Sequence, residues 1–199
     1  MLLWLNGTFG AGKTQVAHEI QRRLPGSHIA DPELLGYGLH RMLPRRVRLQ
    51  EDFQDLPLWR SGTREMLGTV ARRVRGTVLV PMTLVNPQYF EEVVGGLRAD
   101  GHEVGHYTLV VPSRDVLLRR LRSRGETRNS WAAAQYERCA AALADPLFGE
   151  HLDTEGLTVA QVAELVAGKA GLELAPSADT PVTGQLRRWW VQARHVRFG

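Results

Sequence analysis

Three things are scarce in this chain: cysteine, lysine, and acidic residues near its end. It has one cysteine, Cys139, two lysines, Lys13 and Lys169, among 25 basic residues, and no Asp or Glu after position 181. A single cysteine excludes an internal disulfide and provides no thiolate cluster for a metal. The seven histidines show no metal-ligand spacing either. No apolar run approaches the roughly 20 residues of a membrane helix, and the opening Met1–Leu5 is too short for a signal sequence. These absences lead to the expectation of a soluble, cytoplasmic protein in reducing surroundings.

The net charge of +4 suggests nucleic acid until it is located. Residues 1–181 hold 21 Lys/Arg and 21 Asp/Glu, whereas the tail 182–199 holds Arg187, Arg188, Arg194 and Arg197 with no acid. The basic excess is therefore the tail, and no nucleic-acid partner is expected.

Against this background, the stretch Asn6-Gly-Thr-Phe-Gly-Ala-Gly-Lys-Thr14 stands out. Gly7 to Thr14 fits the phosphate-loop (Walker A) pattern G-x-x-x-x-G-K-[ST] without a mismatch. Gly7, Gly10 and Gly12 let the backbone curl so that its N–H groups, that of Ala11 among them, converge on anionic oxygens. The positive end of the following helix adds to that field. Lys13 is suited to the β- and γ-phosphates of ATP and Thr14 to Mg²⁺. With lysine so rare, its presence here marks a position where a compact ammonium is needed.

Periodicity places the loop in context. Residues 1–6 read as a buried strand, and 13–24 carry apolar residues at helical spacing. Further strands are expected at 27–31, 77–85 (interrupted at Pro81), 103–111 and "HLDT". Helices are expected at 32–43, from Pro57 to about 75, from Asn86-Pro87 to Leu97, after Ser113, at 131–144, and at 159–168 behind a Thr158/Gln161 capping box. Alternating strands and helices predict an α/β P-loop fold: a five-stranded parallel sheet with helices on both faces. Ligands then bind at the carboxyl ends of the strands, where Asp31 and the segment 83–86 (including Thr83) would open beside the loop. The expected organisation is a domain over 1–174, with an acceptor-binding insert at 33–60 and an Arg-rich lid at 119–130. A linker and a basic amphipathic helix follow at 175–199.

Two classes of phosphate-loop protein fit poorly. Guanine-specific switches need Asn-Lys-x-Asp, and neither lysine stands in that context. Motor ATPases carry an aspartate at the end of a buried strand, whereas residues 77–82 end in Pro-Met. The small-molecule kinases remain. Arg120, Arg124 and Arg128 in "RRLRSRGETR" resemble the hinge and lid of nucleoside monophosphate kinases, the first arginine on the adenine and the later two over the transferring phosphate; an ordinary solvated, arginine-rich helix end is the alternative. Cations are needed there because the transition state spreads negative charge over the equatorial oxygens. Three roles fit Asp31: general base toward an acceptor hydroxyl, water-mediated Mg²⁺ ligand, or helix cap.

The phosphate loop, "ADPE", "EDFQDLPLWR", "VPMTLVNPQYF" and "RRLRSRGETRNSWAAAQYERC" together resemble the tunicamycin-resistance protein family, as does the basic C-terminal segment. That resemblance implies an ATP-binding P-loop fold similar to chloramphenicol phosphotransferase and to gluconate and shikimate kinases. It also implies resistance to tunicamycin, a uridine-containing nucleoside with sugars and an acyl chain, by phosphorylation or by sequestration. A nucleotide or sugar kinase of ordinary metabolism is the other alternative. The insert offers Tyr37, His40, Asp55 and Arg60 among apolar residues including Trp59, a mixture suited to an amphiphilic small molecule. Packing of the insert onto the sheet explains its aromatics equally well. In the tail, Trp189 and Trp190 beside arginines fit either a peripheral contact at the inner membrane face or a helix docked on the domain or on a second copy.

Overall fold

The strand that precedes the phosphate loop lies at the centre of the sheet. In the computed structural model, which describes residues 1–48, 52–122 and 131–177, β1 (Leu2–Gly7) is buried along its whole length. The chain continues through α1 (Lys13–Arg23), β2 (His28–Ile29), α2 (Glu33–Met42), α3 (Arg45–Arg48), a 3₁₀ turn (Phe53–Asp55) and α4 (Pro57–Arg73). Next come β3 (Val78–Pro81), α5 (Pro87–Phe90), a π-helical turn (Glu91–Gly95), α6 (Gly96–Ala99), β4 (Val104–Val110) and α7 (Arg114–Arg122). The described chain closes with α8 (Trp131–Ala134), α9 (Tyr136–Leu143), a 3₁₀ turn (Pro146–Phe148), β5 (Glu150–Asp153) and α10 (Val159–Lys169).

Among the described residues the five strands form one sheet in the order β2-β3-β1-β4-β5, every pair parallel. Both faces are covered, which is why β1 reads as a continuous apolar run. Leu3 and Leu5 enter one core with Val16, Ile20 and Val162, while Leu2 and Trp4 enter the other with Trp59, Phe90 and Phe148. A one-residue slip of β1 would exchange these two sets, so its register is fixed by both cores.

The expected α/β architecture holds, with three local departures. The strand expected to reach residue 85 ends at Pro81, and one further backbone bond, from the Met82 N–H to the Leu5 carbonyl (3.1 Å), continues the pairing with β1. Side chains take over from there. Trp4 Nε1 donates to the Met82 carbonyl (3.1 Å), and Asn6 bonds both the N–H and the carbonyl of Leu84 (3.0 and 2.8 Å). The helix after Asn86 passes through the π turn, with Glu92 carried on it. The helix expected over 131–144 divides at Gln135. The capping box at Thr158 and Gln161 is present.

Residues just beyond α10 are tied to the end of α1. Ala175 donates its N–H to the Arg23 carbonyl (2.8 Å), and Arg23 Nε donates to the Ala175 carbonyl (2.7 Å). The rest of the tail, 178–199, lies outside the described residues, as does 123–130 with Arg124 and Arg128. Among the described residues no helix is long and apolar enough to cross a membrane.

Candidate active site

The phosphate loop turns between the centre of the sheet and α1. Gly10 and Gly12 have φ of +83° and +98°, a region that residues with a Cβ rarely adopt. The two differ in their surroundings. A Cβ on Gly10 would lie 2.5 Å from Leu117 Cδ1, against α7, whereas one on Gly12 would meet nothing within 4 Å. Gly12 is also the N-cap of α1 and provides no side chain to its first N–H groups. No acidic residue lies in the first turn of α1. The positive end of this helix is thus not offset by a carboxylate of its own first turn. Thr14 stands in that turn, partly exposed.

Lys13 is buried, and its Nζ donates to the carbonyls of Gly7 and Thr8, both at 3.0 Å. Thr83, expected among the substrate residues, is only 2% exposed and turns inward. Its Oγ1 donates to the same Gly7 carbonyl (2.9 Å). Asn6, which the sequence analysis did not single out, fixes the start of the loop by accepting the Gly7 N–H (2.8 Å) on the oxygen that also accepts the Leu84 N–H. A polar residue inside an otherwise apolar, fully buried strand was the available signal.

Arg120 reaches the loop from α7. Its Nη1 lies 3.4 Å from the Ala11 carbonyl and 3.1 Å from Thr154 Oγ1, and Nη2 donates to the Thr154 carbonyl (2.7 Å). Burial lowers its pKa from the ordinary guanidinium value, partly offset by Asp153 and Glu155. It therefore sits beside the loop on the β5 side, held by protein groups.

Asp31 lies two residues beyond β2, and its Oδ1 accepts the Glu33 N–H at 3.0 Å. The cap is therefore formed, and it orients the carboxylate at the entrance to α2. Tyr37 and His40 on α2 both meet the Phe53 ring edge-on, with centroids 5.9 and 5.5 Å away.

Two expected substrate residues serve the protein instead. Trp59 is completely buried and its indole N–H donates to the Pro32 carbonyl (3.1 Å). It packs the insert onto the sheet and has no surface to offer a ligand. Arg60 is nearly as buried: Nε donates to Glu92 (2.5 Å), Nη1 to the carbonyls of Gln54 (2.7 Å) and Asp55 (2.9 Å), and Tyr89 stacks 4.2 Å from its guanidinium carbon. Asp55 accepts the Tyr89 hydroxyl (2.9 Å), which raises the pKa of that phenol. The Arg60 hydrogen bond, helped by Gln88, holds the Glu92 carboxyl below its ordinary range. This network shapes the insert. Gln54, overlooked in the sequence, is at its centre, with Nε2 donating to the Thr83 carbonyl (3.2 Å).

The structure thus brings together Gly7, Gly10, Ala11, Gly12, Lys13, Thr14, Thr83 and Arg120 around one loop. Tyr37, His40 and Asp55 belong to the neighbouring insert, and Asp31 lies just ahead of it, between β2 and α2. Positive-φ glycines, a lysine within reach of the loop and a helix N-terminus whose first turn holds no acid are the donor set that a nucleotide's phosphates require.

The fold is shared with known proteins. A family model described as an AAA domain matches residues 2–146. Among solved structures, the tunicamycin resistance protein of Deinococcus radiodurans is 35% identical, over 88% of this chain and 98% of that one, with a TM-score of 0.75. A gluconokinase from Sinorhizobium meliloti 1021 is 14% identical, over 98% and 97% of the two chains, with a TM-score of 0.59. A shikimate kinase from Bacteroides thetaiotaomicron is 16% identical, over 86% and 99%, with a TM-score of 0.53. These last two likenesses show the fold alone. No curated protein matches the sequence.

Proposed function

The chain belongs to the AAA domain family and to the family of the tunicamycin resistance protein, and from that premise we propose that it is an ATP-dependent small-molecule phosphotransferase. Its acceptor is a hydroxyl of a tunicamycin-like nucleoside, and its place of action is the cytoplasm, where ATP is abundant.

The observation that carries this reading is the loop: Lys13 stands between a positive-φ Gly12 and an α1 first turn free of acid. In the proposed complex the backbone N–H groups of 10–14 and Lys13 hold the β- and γ-phosphates, and Arg120 lies beside the nucleotide. Magnesium held by Thr14 would neutralise charge developing on those oxygens. Asp31 takes the proton of the acceptor hydroxyl while its oxygen bonds the γ-phosphorus and the bond to the β–γ bridging oxygen breaks, leaving ADP. The capping bond to Glu33 holds the carboxylate in place for that step. Arg60, Asp55, Tyr89 and Glu92 keep the insert in shape around the acceptor.

The test is an acceptor panel with Mg²⁺ and γ-labelled ATP. Tunicamycin should gain one phosphoryl group, detected by mass spectrometry, with uridine, gluconate and nucleoside monophosphates left unmodified. Tight tunicamycin binding without label transfer would replace the reading with sequestration. Transfer to gluconate or a monophosphate would replace it with an ordinary metabolic kinase.

A further inference from the structure

Three hydrogen bonds in series join the insert to the phosphate loop. Arg60 Nη1 donates to the Gln54 carbonyl (2.7 Å), Gln54 Nε2 to the Thr83 carbonyl (3.2 Å), and Thr83 Oγ1 to the Gly7 carbonyl (2.9 Å). The last of these oxygens is also one of the two that hold Lys13 Nζ. Arg60, Gln54, Thr83 and Lys13 are all 9% exposed or less, so water does not compete strongly for these bonds. We infer that Thr83 is a positioning residue for Lys13, and that Gln54 is the group through which the acceptor insert reaches it. The inference rests on the proposal that the loop binds ATP.

The physical reason lies in the shared carbonyl. To meet a phosphate, the Lys13 ammonium must loosen its bonds to the Gly7 and Thr8 carbonyls. A buried carbonyl left without a partner is costly. Thr83 keeps the Gly7 oxygen bonded while Lys13 turns away, which lowers the cost of the exchange. It also fixes the plane of the Gly7 peptide at the point where the loop begins. Since the Thr83 carbonyl is itself held by Gln54, a shift of the insert acts on the same hydroxyl. Coupling between two binding sites is reciprocal, so an acceptor that tightens the insert favours the nucleotide-ready position of Lys13.

Calorimetric titration of the full chain with Mg²⁺·ATP, paired with thermal melts, tests this. Thr83→Val should weaken ATP binding roughly five- to tenfold, the loss expected of one buried hydrogen bond. Thr83→Ser, which restores the hydroxyl, should return affinity to within about twofold of wild type. Gln54→Leu should also weaken binding. The double variant should lose less than the product of the two single losses, because the bonds act in series. If valine does not fold, Thr83→Ala against Thr83→Ser makes the same comparison. Wild-type affinity in Thr83→Val, serine as weak as valine, or fully independent losses in the double variant would overturn the inference; lowered melting temperatures with unchanged affinity would reduce Thr83 to packing. A wild-type chain that binds no Mg²⁺·ATP would overturn the ATP reading first, and this inference with it.

Discussion

Two alanine substitutions in the phosphate loop should behave differently, although both replace a glycine of positive φ. Holding an L-residue in the left-handed region costs about 1–2 kcal/mol, and Gly10→Ala and Gly12→Ala both incur it. Only Gly10 faces packed protein, with an added Cβ 2.5 Å from Leu117 Cδ1 and 3.1 Å from Leu121 Cδ2. Both leucines are at most 1% exposed and cannot retreat into solvent. Overpacking of that kind adds about 1–3 kcal/mol, which brings Gly10→Ala to a loss of about 2–5 kcal/mol. For a domain of this size 1 kcal/mol moves the midpoint by about 2–4 °C. Thermal melts followed by circular dichroism should therefore show a loss of about 2–8 °C for Gly12→Ala and about 4–20 °C for Gly10→Ala. The Gly12 methyl points into open space at the start of α1, so that variant should lose Mg²⁺·ATP affinity with only its small stability loss. Equal melting temperatures would refute the placement of Gly10 against α7. Full ATP affinity in Gly12→Ala would refute the placement of phosphate at that helix end.

Three further outcomes follow from particular side chains. Asp31→Asn retains an oxygen for the Glu33 N–H, so stability should hold while turnover falls roughly 10²–10⁴-fold; a large loss of Mg²⁺·ATP affinity would instead assign Asp31 to the metal, and unchanged turnover would leave only the cap. His106, buried between Trp4 and Phe90, has its pKa lowered from 6.5 to about 3, chiefly by burial. The unfolded chain takes up that proton first, so the contribution is complete above about pH 6.5 and is lost toward pH 3, at roughly 1 kcal/mol per pH unit. Urea titrations between about pH 6.5 and 5, where few carboxylates titrate, should show this slope in wild type and not in His106→Phe; a flat wild-type profile would contradict it. The tail's four arginines, at about 1 kcal/mol each near an anionic surface, should carry the full chain onto anionic vesicles at low salt. A chain ending at 177 should stay in the supernatant, and equal binding by both would remove that role from the tail.

The sheet was legible because its central strands carry their burial in their residues: β1 and β3 are apolar runs buried along their whole length. The loop was legible because its chemistry is local, resting on glycines and a lysine at fixed spacing along one turn. The insert was harder to read. Trp59, Arg60 and Thr83 are residue types that ligands use, and nothing in sequence order tells a buried partner from a bound one. Trp59 faces inward because the Pro32 carbonyl lies within reach of its indole, and Thr83 because Asn6 draws the chain beyond β3 alongside the loop. Those contacts join residues 27 and 78 positions apart in the chain, a separation over which periodicity carries no information. Gln54, joined to Thr83 across 29 positions, is hidden for the same reason.

Calorimetric titration of Mg²⁺·ATP into the wild-type chain and into Lys13→Ala bears most directly on the loop as a nucleotide site. Wild type should saturate at one ATP per chain. Lys13→Ala should bind about 100-fold more weakly, consistent with loss of a charge-assisted contact worth about 1.5–3 kcal/mol and some disorder of the loop around it. The variant's melting temperature should stay within a few degrees of wild type, since the Gly7 carbonyl keeps its bond from Thr83 and only the Thr8 carbonyl loses a partner. Equal ATP affinity in the two proteins would contradict the assignment of Lys13, and with it the phosphotransferase built around that residue.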